Sequence, residues 1–459
     1  MEQITKPHCG ARLDRLPDCR WHSSIFAIVS FGLLVCWSNA VGGLILAQLK
    51  ELGWTDNSTT ATFSAITTAG MFLGALVGGI IGDKTGRRNA FILYEAIHIA
   101  SMVVGAFSPN MDFLIACRFV MGVGLGALLV TLFAGFTEYM PGRNRGTWSS
   151  RVSFIGNWSY PLCSLIAMGL TPLISAEWNW RVQLLIPAIL SLIATALAWR
   201  YFPESPRWLE SRGRYQEAEK VMRSIEEGVI RQTGKPLPPV VIADDGKAPQ
   251  AVPYSALLTG VLLKRVILGS CVLIAMNVVQ YTLINWLPTI FMTQGINLKD
   301  SIVLNTMSMF GAPFGIFIAM LVMDKIPRKT MGVGLLILIA VLGYIYSLQT
   351  SMLLITLIGF FLITFVYMYV CYASAVYVPE IWPTEAKLRG SGLANAVGRI
   401  SGIAAPYAVA VLLSSYGVTG VFILLGAVSI IVAIAIATIG IETKGVSVES
   451  LSIDAVANK

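Results

Sequence analysis

Charge sits where charge is expensive in this 459-residue chain. Arg118 interrupts the apolar run "FLIACRFVMGVGLGALLV", and a charge at bilayer depth costs about 2.5 to 3.5 kcal/mol even on a lenient insertion scale. Such a residue calls for an acid, an anionic ligand or a water-filled path. Glu95, in "FILYEAIHIA", is an acid well inside the first half of the chain. Arg118 and Glu95 are therefore the candidates for handling a proton. Arg399, in "NAVGRISGIAAP", is a second cation in or near an apolar run. It serves either a cytoplasmic gate or, with Arg118, an anionic cargo.

A second set of residues can recognise a solute. At 100° per residue, Asn277, Gln280, Tyr281 and Asn285 of "MNVVQYTLINWLPT" fall within about 140° of arc. Amides and phenols offer donors and acceptors together, which suits hydroxylated or carboxylated solutes. Trp286 beside them either stacks on a ring or fills space. Ser153, Asn157, Tyr160 and Ser164 share another strip, as do Thr364, Tyr367, Cys371 and Ser374. The run "FAIVSFGLLVCWSNAVGGLILAQL" holds Ser38 and Asn39 as its polar groups and no carboxylate. Asn157, Tyr160, Tyr367 and Asn39 join the five residues Asn277, Gln280, Tyr281, Asn285 and Trp286 as candidate substrate contacts.

The elements that position these residues are membrane spans. The composition is 55% hydrophobic and only 13% charged, with a mean hydropathy of +0.71. A span takes roughly 20 apolar residues, and twelve such stretches are legible, the first at about 25–49 and the fifth at about 148–174. The chain is expected to be an all-α membrane protein. Lys and Arg crowd the segments 83–88, 137–147, 203–264, 324–329 and 387–389, against Lys50, Arg181 and Lys299 on the other side. This asymmetry places both termini in the cytoplasm of a multi-pass inner (plasma) membrane protein. The net charge of +8 is thereby explained by topology, and no basic stripe suggests nucleic acid.

The chain also repeats. Asp83, Lys84, Arg87 and Arg88 recur 241 residues later as Asp324, Lys325, Arg328 and Lys329; Glu138 and Arg145 recur 242 later as Glu380 and Lys387. "PESPRWL" from Pro203, with Glu204 and Arg207, is echoed by "IETKG" with Glu442. A duplication explains three matched corners. It divides the chain into a six-helix bundle at 1–202, a cytoplasmic loop at 203–263 and a second bundle at 264–459. Two departures stand out: Pro327 replaces Gly86, and Met320 replaces Gly79.

"GGIIGDKTGRR" resembles the signature between the second and third helices of the major facilitator superfamily. "PESPRWL", "YVPEIWPTEAKLRGSG" and the "ETKG" near the end are similar to its sugar porter and metabolite:proton symporter branches. The resemblance implies the major facilitator fold, with 12 transmembrane helices in two pseudo-symmetric six-helix bundles and short helices in the central loop. "RFVMGVGLG" resembles the superfamily's fourth-helix motif, whose Arg commonly pairs with a first-helix acid. That acid is missing here. The helix-seven stretch lacks the paired glutamines of sugar porters, and "WLPT" is closer to organic-ion and aromatic-acid members.

Together these readings imply a secondary active transporter, not an enzyme. It would move a sugar, polyol or organic acid by alternating access, in proton symport. The alternatives are an uncoupled facilitator, an organic-anion transporter or, less favoured, a non-transporting sensor. Asp83, Arg87, Arg88, Glu138, Arg145, Glu204, Arg207, Asp324, Arg328, Glu380, Lys387, Arg399 and Glu442 are the gating set: ionic contacts, within a bundle or between bundles, that part when the inner face opens. No cofactor or metal is expected. A solute, H+ and the bilayer are the expected partners of a monomer, because one chain holds a whole pathway.

Overall fold

The computed structural model describes residues 7–17, 19–141, 145–240, 253–383 and 386–444, and no strand occurs among them. Helix α1 (Cys9–Asp14) precedes α2 (Arg20–Val35) and α3 (Gly42–Glu51), which share the first predicted span. Spans two to four are α4 (Asn57–Thr85), α5 (Arg87–Ala106) and α6 (Met111–Tyr139). The fifth is α7 (Arg145–Asn157) with α8 (Ser159–Leu170), and the sixth is α9 (Ala176–Tyr201). Helices α10 (Pro206–Ser211), α11 (Tyr215–Thr233) and α12 (Tyr254–Leu257) follow. Then come α13 (Gly260–Thr293), α14 (Leu298–Met309), α15 (Gly311–Val322), α16 (Arg328–Ser347) and α17 (Met352–Cys371). A π-helical turn at Tyr372–Tyr377, α18 (Val378–Glu380) and α19 (Lys387–Ile439) are the last elements among the described residues.

Nine helical stretches among the described residues are long and apolar enough to cross a membrane. The difference from twelve has local causes. The first span is not continuous as expected: α2 ends at Cys36 (ψ 51°) and the chain turns before α3. The fifth is interrupted at Trp158. Spans eleven and twelve are two helices that follow each other without a loop, meeting at a kink at Gly417, whose φ of 64° and ψ of −159° belong to a region essentially reserved for glycine.

Packing gathers the chain into two compact units. The first comprises Met1–Asn39, Gly70–Ser159 and Leu184–Gly246; the second comprises Ala40–Ala69, Tyr160–Gln183 and Lys247–Lys459. These units cut through spans one, two, five and six, and so differ in outline from the halves that the sequence repeat defines.

Inside the first unit, α4 meets α6 backbone to backbone. A Cβ on Gly70 would lie 2.3 Å from the Phe119 carbonyl oxygen, and one on Gly74 would lie 2.1 Å from that of Val123. Small residues permit such approach in membranes. The glycine face of "RFVMGVGLG" is used here, Gly126 lying against the Met71 carbonyl. Inside the second unit, α15 meets α17 in the same way. A Cβ on Gly311 would crowd the Phe360 carbonyl at 2.4 Å, and one on Gly315 that of Thr364 at 2.3 Å. Each of these four positions lies 241 residues beyond its counterpart, so the repeat extends to which carbonyl each glycine touches.

The segment before the first span is packed. Cys9, Leu13 and Leu16 are buried against Trp208, Leu209, Met222 and Ile225 of α10 and α11. Helix α11 buries Ala218, Met222, Ile225 and Val229 at helical spacing. Arg12 bridges its Glu219 and Glu226, and Arg15 reaches Glu226 at 2.6 Å.

In the second unit, α3 lies on α13: a Cβ on Gly43 would sit 2.5 Å from the Ile284 carbonyl oxygen. The start of α4 joins this packing. Asn57 Nδ2 donates to Ser414 Oγ at 2.9 Å, and Ala61 packs with Trp286, Ile290 and Val409.

Candidate functional site

The two charged corners are built alike. In the first unit, Arg87 joins Asp83 (2.7 Å) and Glu138 (2.7 Å). Glu204 Oε1 accepts the backbone N–H groups of Arg87 (2.6 Å) and Arg88 (3.2 Å), which open α5. Helix starts leave such donors unsatisfied, and a carboxylate also complements the positive end of the helix. Ser205 caps α10 and donates to Glu138 Oε2 at 2.6 Å. Gly86, with φ 95°, lets the Glu204 carboxylate approach; a Cβ there would meet it at 2.3 Å. Arg88 Nη2 donates to the Trp199 carbonyl.

In the second unit, Arg328 joins Asp324 (3.2 Å) and Glu380 (3.0 Å). Glu442 accepts the N–H groups of Arg328 (2.8 Å) and Lys329 (3.1 Å), which open α16. Thr443 Oγ1 donates to Glu380 Oε2 at 2.6 Å. Pro327, with φ −56°, turns the chain differently from Gly86, yet the cap is kept because the capped N–H groups belong to the next two residues. The two acids differ electrostatically. Burial pushes the Glu204 carboxyl up, against the N–H groups of Ser205, Arg88 and Arg87. At Glu442 burial also raises, but the N–H groups of Arg328, Lys329 and Lys444 outweigh it and hold the carboxyl below its ordinary range.

Each of these ion pairs joins residues of a single unit. Arg207 does something else: it donates to Asp14 Oδ1 at 2.9 Å, fastening α1. Lys387 opens α19 and is exposed. The side chain of Arg145 lies outside the described residues.

A buried polar chain crosses the first unit at the break in the first span. Arg118 Nη1 donates to the Ser38 backbone oxygen at 2.7 Å, a carbonyl just past the end of α2. Ser38 Oγ lies 2.7 Å from His98 Nε2, and His98 Nδ1 lies 3.5 Å from Glu95 Oε2. Glu95 and His98 are both fully buried. His98 escaped the sequence reading, and Ser38 was noted there only as a polar group of the first span; the signal for His98 was available in "EAIH", which puts an acid and an imidazole three residues apart on one helix face. Asn39 is half-buried in the same break.

The second unit gathers a different set. Arg399 Nη1 of α19 donates to the Tyr281 hydroxyl of α13 at 2.9 Å. The Tyr160 ring of α8 meets Tyr367 of α17 edge to face at 5.4 Å. Tyr160 and Gln280 lie next to the buried Tyr367 hydroxyl, with Tyr281 close by. Nearby elements of this unit are also linked by polar groups: Asn305 Nδ2 of α14 donates to Ser164 Oγ of α8 at 3.1 Å. Five predicted residues therefore converge: Gln280, Tyr281, Tyr160, Tyr367 and Arg399.

Others do not join them. Asn277 and Asn157 donate to carbonyls of their own helices, Leu273 (2.7 Å) and Ser153 (2.7 Å). Asn285 lies where α3 crosses, its carbonyl beside Gly43. Trp286 is fully buried in an apolar cluster with Ala61, Val409 and Leu413. Gln48, whose buried amide makes no hydrogen bond at either atom, was not singled out from sequence; a lone Gln in an apolar run gives little signal.

The profile of the Major Facilitator Superfamily matches residues 26–406. The chain belongs to that superfamily. Its helices follow the fold of the xylose transporter XylE from E. coli, with a TM-score of 0.74 at 18% identity over 94% of this chain and all of the other. It is 99% identical, over the full length of both chains, to YdjK of Escherichia coli (strain K12), a protein named for metabolite transport. It is 44% identical over 98% of its length, and 99% of the relative's, to the inner membrane metabolite transport protein YdjE of the same organism. The chain is thus a metabolite transporter of the superfamily, a multi-pass protein of the inner membrane, and not an enzyme.

Proposed function

We propose that this transporter carries a small polar metabolite (sugar, polyol or organic acid) by alternating access and in symport with a proton, with carboxylate-bearing cargo preferred. The bond from Arg399 to Tyr281 carries this reading. A guanidinium among phenols and an amide presents planar donors that match a carboxylate, and an anion offsets the cost of holding the cation at span depth. Gln280, Tyr160 and Tyr367 supply the donors and acceptors that orient the rest of the solute. The ionic corners, Asp83 to Glu204 and Asp324 to Glu442, brace the inner ends of the spans. Both termini face the cytoplasm, as the distribution of Lys and Arg indicates, and the monomer is the working unit.

A second reading, an uncoupled facilitator, draws support from the absence of any acid in the first span. Purified protein in proteoliposomes distinguishes the two. Labelled glucose, mannitol, gluconate and benzoate are offered with and without an imposed pH gradient. Accumulation of the carboxylates under the gradient, reduced at least about tenfold in Arg399→Ala, is expected. Equal, gradient-independent uptake of all four solutes by both proteins refutes the reading.

A further inference from the structure

The proposed symport needs a proton site, and the first span offers no acid for it. We infer that the buried Glu95–His98 pair of α5 is that site, and that its occupancy is passed to the broken first span through Ser38. This inference rests on the proton-coupled reading above.

Three observations support it. Glu95 is fully buried, and neither of its carboxylate oxygens makes a hydrogen bond. An ionised carboxylate in that setting costs several kcal/mol unless a positive neighbour compensates it, and His98 is the adjacent group that can become one. His98 Nδ1 lies 3.5 Å from Glu95 Oε2, within ion-pair reach. His98 Nε2 lies 2.7 Å from Ser38 Oγ, in the turn where the first span is broken. The groups facing the pair are few. The break contributes Cys36, whose sulfur is 3.9 Å from His98 Nδ1, and Ser38. Helix α6 contributes Arg118, held on the Ser38 carbonyl, and Gly124, which lies against the His98 backbone. Tyr94, on α5 itself, donates to the Gly78 carbonyl of α4.

The proton count closes. Without the extra proton, the pair is a carboxylate beside a neutral imidazole, with Nδ1–H toward Glu95 and a bare Nε2 that accepts from the Ser38 hydroxyl. One proton from water, added to the pair, leaves an imidazolium whose Nε2–H donates to Ser38 Oγ. The hydrogen bond reverses, and the Ser38 hydroxyl must find another acceptor in the turn. The charge of the pair changes from −1 to 0 beside the Arg118 guanidinium. Occupancy thus alters both the bonding and the field at a point where the first span is already bent.

Infrared spectroscopy of the reconstituted protein, titrated with acid and read in H2O and D2O, tests this without any cargo. A band set that titrates with pH, from neutral imidazole to imidazolium with the Glu95 carboxylate stretch shifting beside it, is expected in the wild type. It should be absent in Glu95→Gln, regained in Glu95→Asp, and unchanged in Asp112→Asn, whose acid lies in the first turn of α6. Its midpoint should shift in Ser38→Ala. A titrating band that persists in Glu95→Gln overturns the assignment. Gradient-driven uptake of the four labelled solutes separates the levels of the argument. Full accumulation by Glu95→Gln removes the pair from coupling while leaving symport standing. Wild-type uptake indifferent to the gradient removes both.

Discussion

Glu204 and Glu442 occupy equivalent corners of the two repeats: each carboxylate accepts the first two backbone N–H groups of a span helix, α5 or α16. The side-chain identity, the helix position and the bonded donors are all preserved, while the turn residue changes from Gly86 to Pro327. What differs is burial. It raises the Glu204 carboxyl and is outweighed at Glu442.

Opposite pH dependence follows for the two caps. Glu442, held below the ordinary glutamate value of 4.5, contributes stability above pH 4.5 that is lost as pH falls through its native value. Glu442→Gln should lower the unfolding temperature of the detergent-purified protein at pH 7, by about 0.3 to 1 kcal/mol in stability, and the deficit should fade toward pH 4. Glu204 is raised, so its favourable contribution is complete below pH 4.5 and is lost as pH rises through the native value. Glu204→Gln should therefore match or exceed the wild type at pH 7. Identical pH profiles for the two variants would contradict this account.

The crossing of α3 on α13 leaves no room for a side chain at Gly43, where a Cβ would lie 2.5 Å from one carbonyl and 2.9 Å from the next. Gly43→Val should insert in the membrane and purify as a monomer, yet hold these helices apart and reduce uptake at least about tenfold; backbone clashes of this kind do not relax by rotamer changes. Normal uptake in Gly43→Val would show that the close crossing is dispensable.

Tyr281→Phe removes the oxygen that accepts from Arg399. A lost hydrogen bond of this type is worth about 0.5 to 1.5 kcal/mol, so the apparent KM for a carboxylate should rise about two- to tenfold. Trp286 is packed among apolar side chains. Trp286→Phe should accordingly leave that KM within about twofold while lowering stability by about 1 to 3 kcal/mol. The reverse pattern in an uptake and thermal-unfolding series would move the cargo toward Trp286.

Much of this was legible in the sequence. The repeat of Asp83 and Arg87 as Asp324 and Arg328 announces two matched corners, because charge at span ends is placed only where it is used. The stripe on α13 announces Gln280 and Tyr281 as neighbours. Other features were not legible. Asn277 and Asn157 share those stripes but bond to their own helices, and periodicity cannot distinguish an amide turned back on its backbone from one turned to a solute. The break at Cys36–Val41 carries no proline, and its glycines Gly42 and Gly43 read equally well as a packing face. The docking of Arg12 between Glu219 and Glu226 joins residues more than 200 positions apart, a pairing that no local pattern encodes. The equivalence of Gly70 and Gly74 with Gly311 and Gly315 was present at the same offset of 241, but glycine is common enough in spans that contact geometry was needed to single these out.

Alternating access requires that helices packed together in one state separate in another. Asn57 and Ser414, bonded at 2.9 Å, tie the start of α4 to α19 within the second unit. The decisive measurement is uptake by an Asn57→Cys, Ser414→Cys double variant before oxidation, after oxidation and after reduction. The account predicts full uptake with free thiols, loss on cross-linking and recovery with reductant, with neither single variant responding. Undiminished uptake by quantitatively cross-linked protein would contradict it.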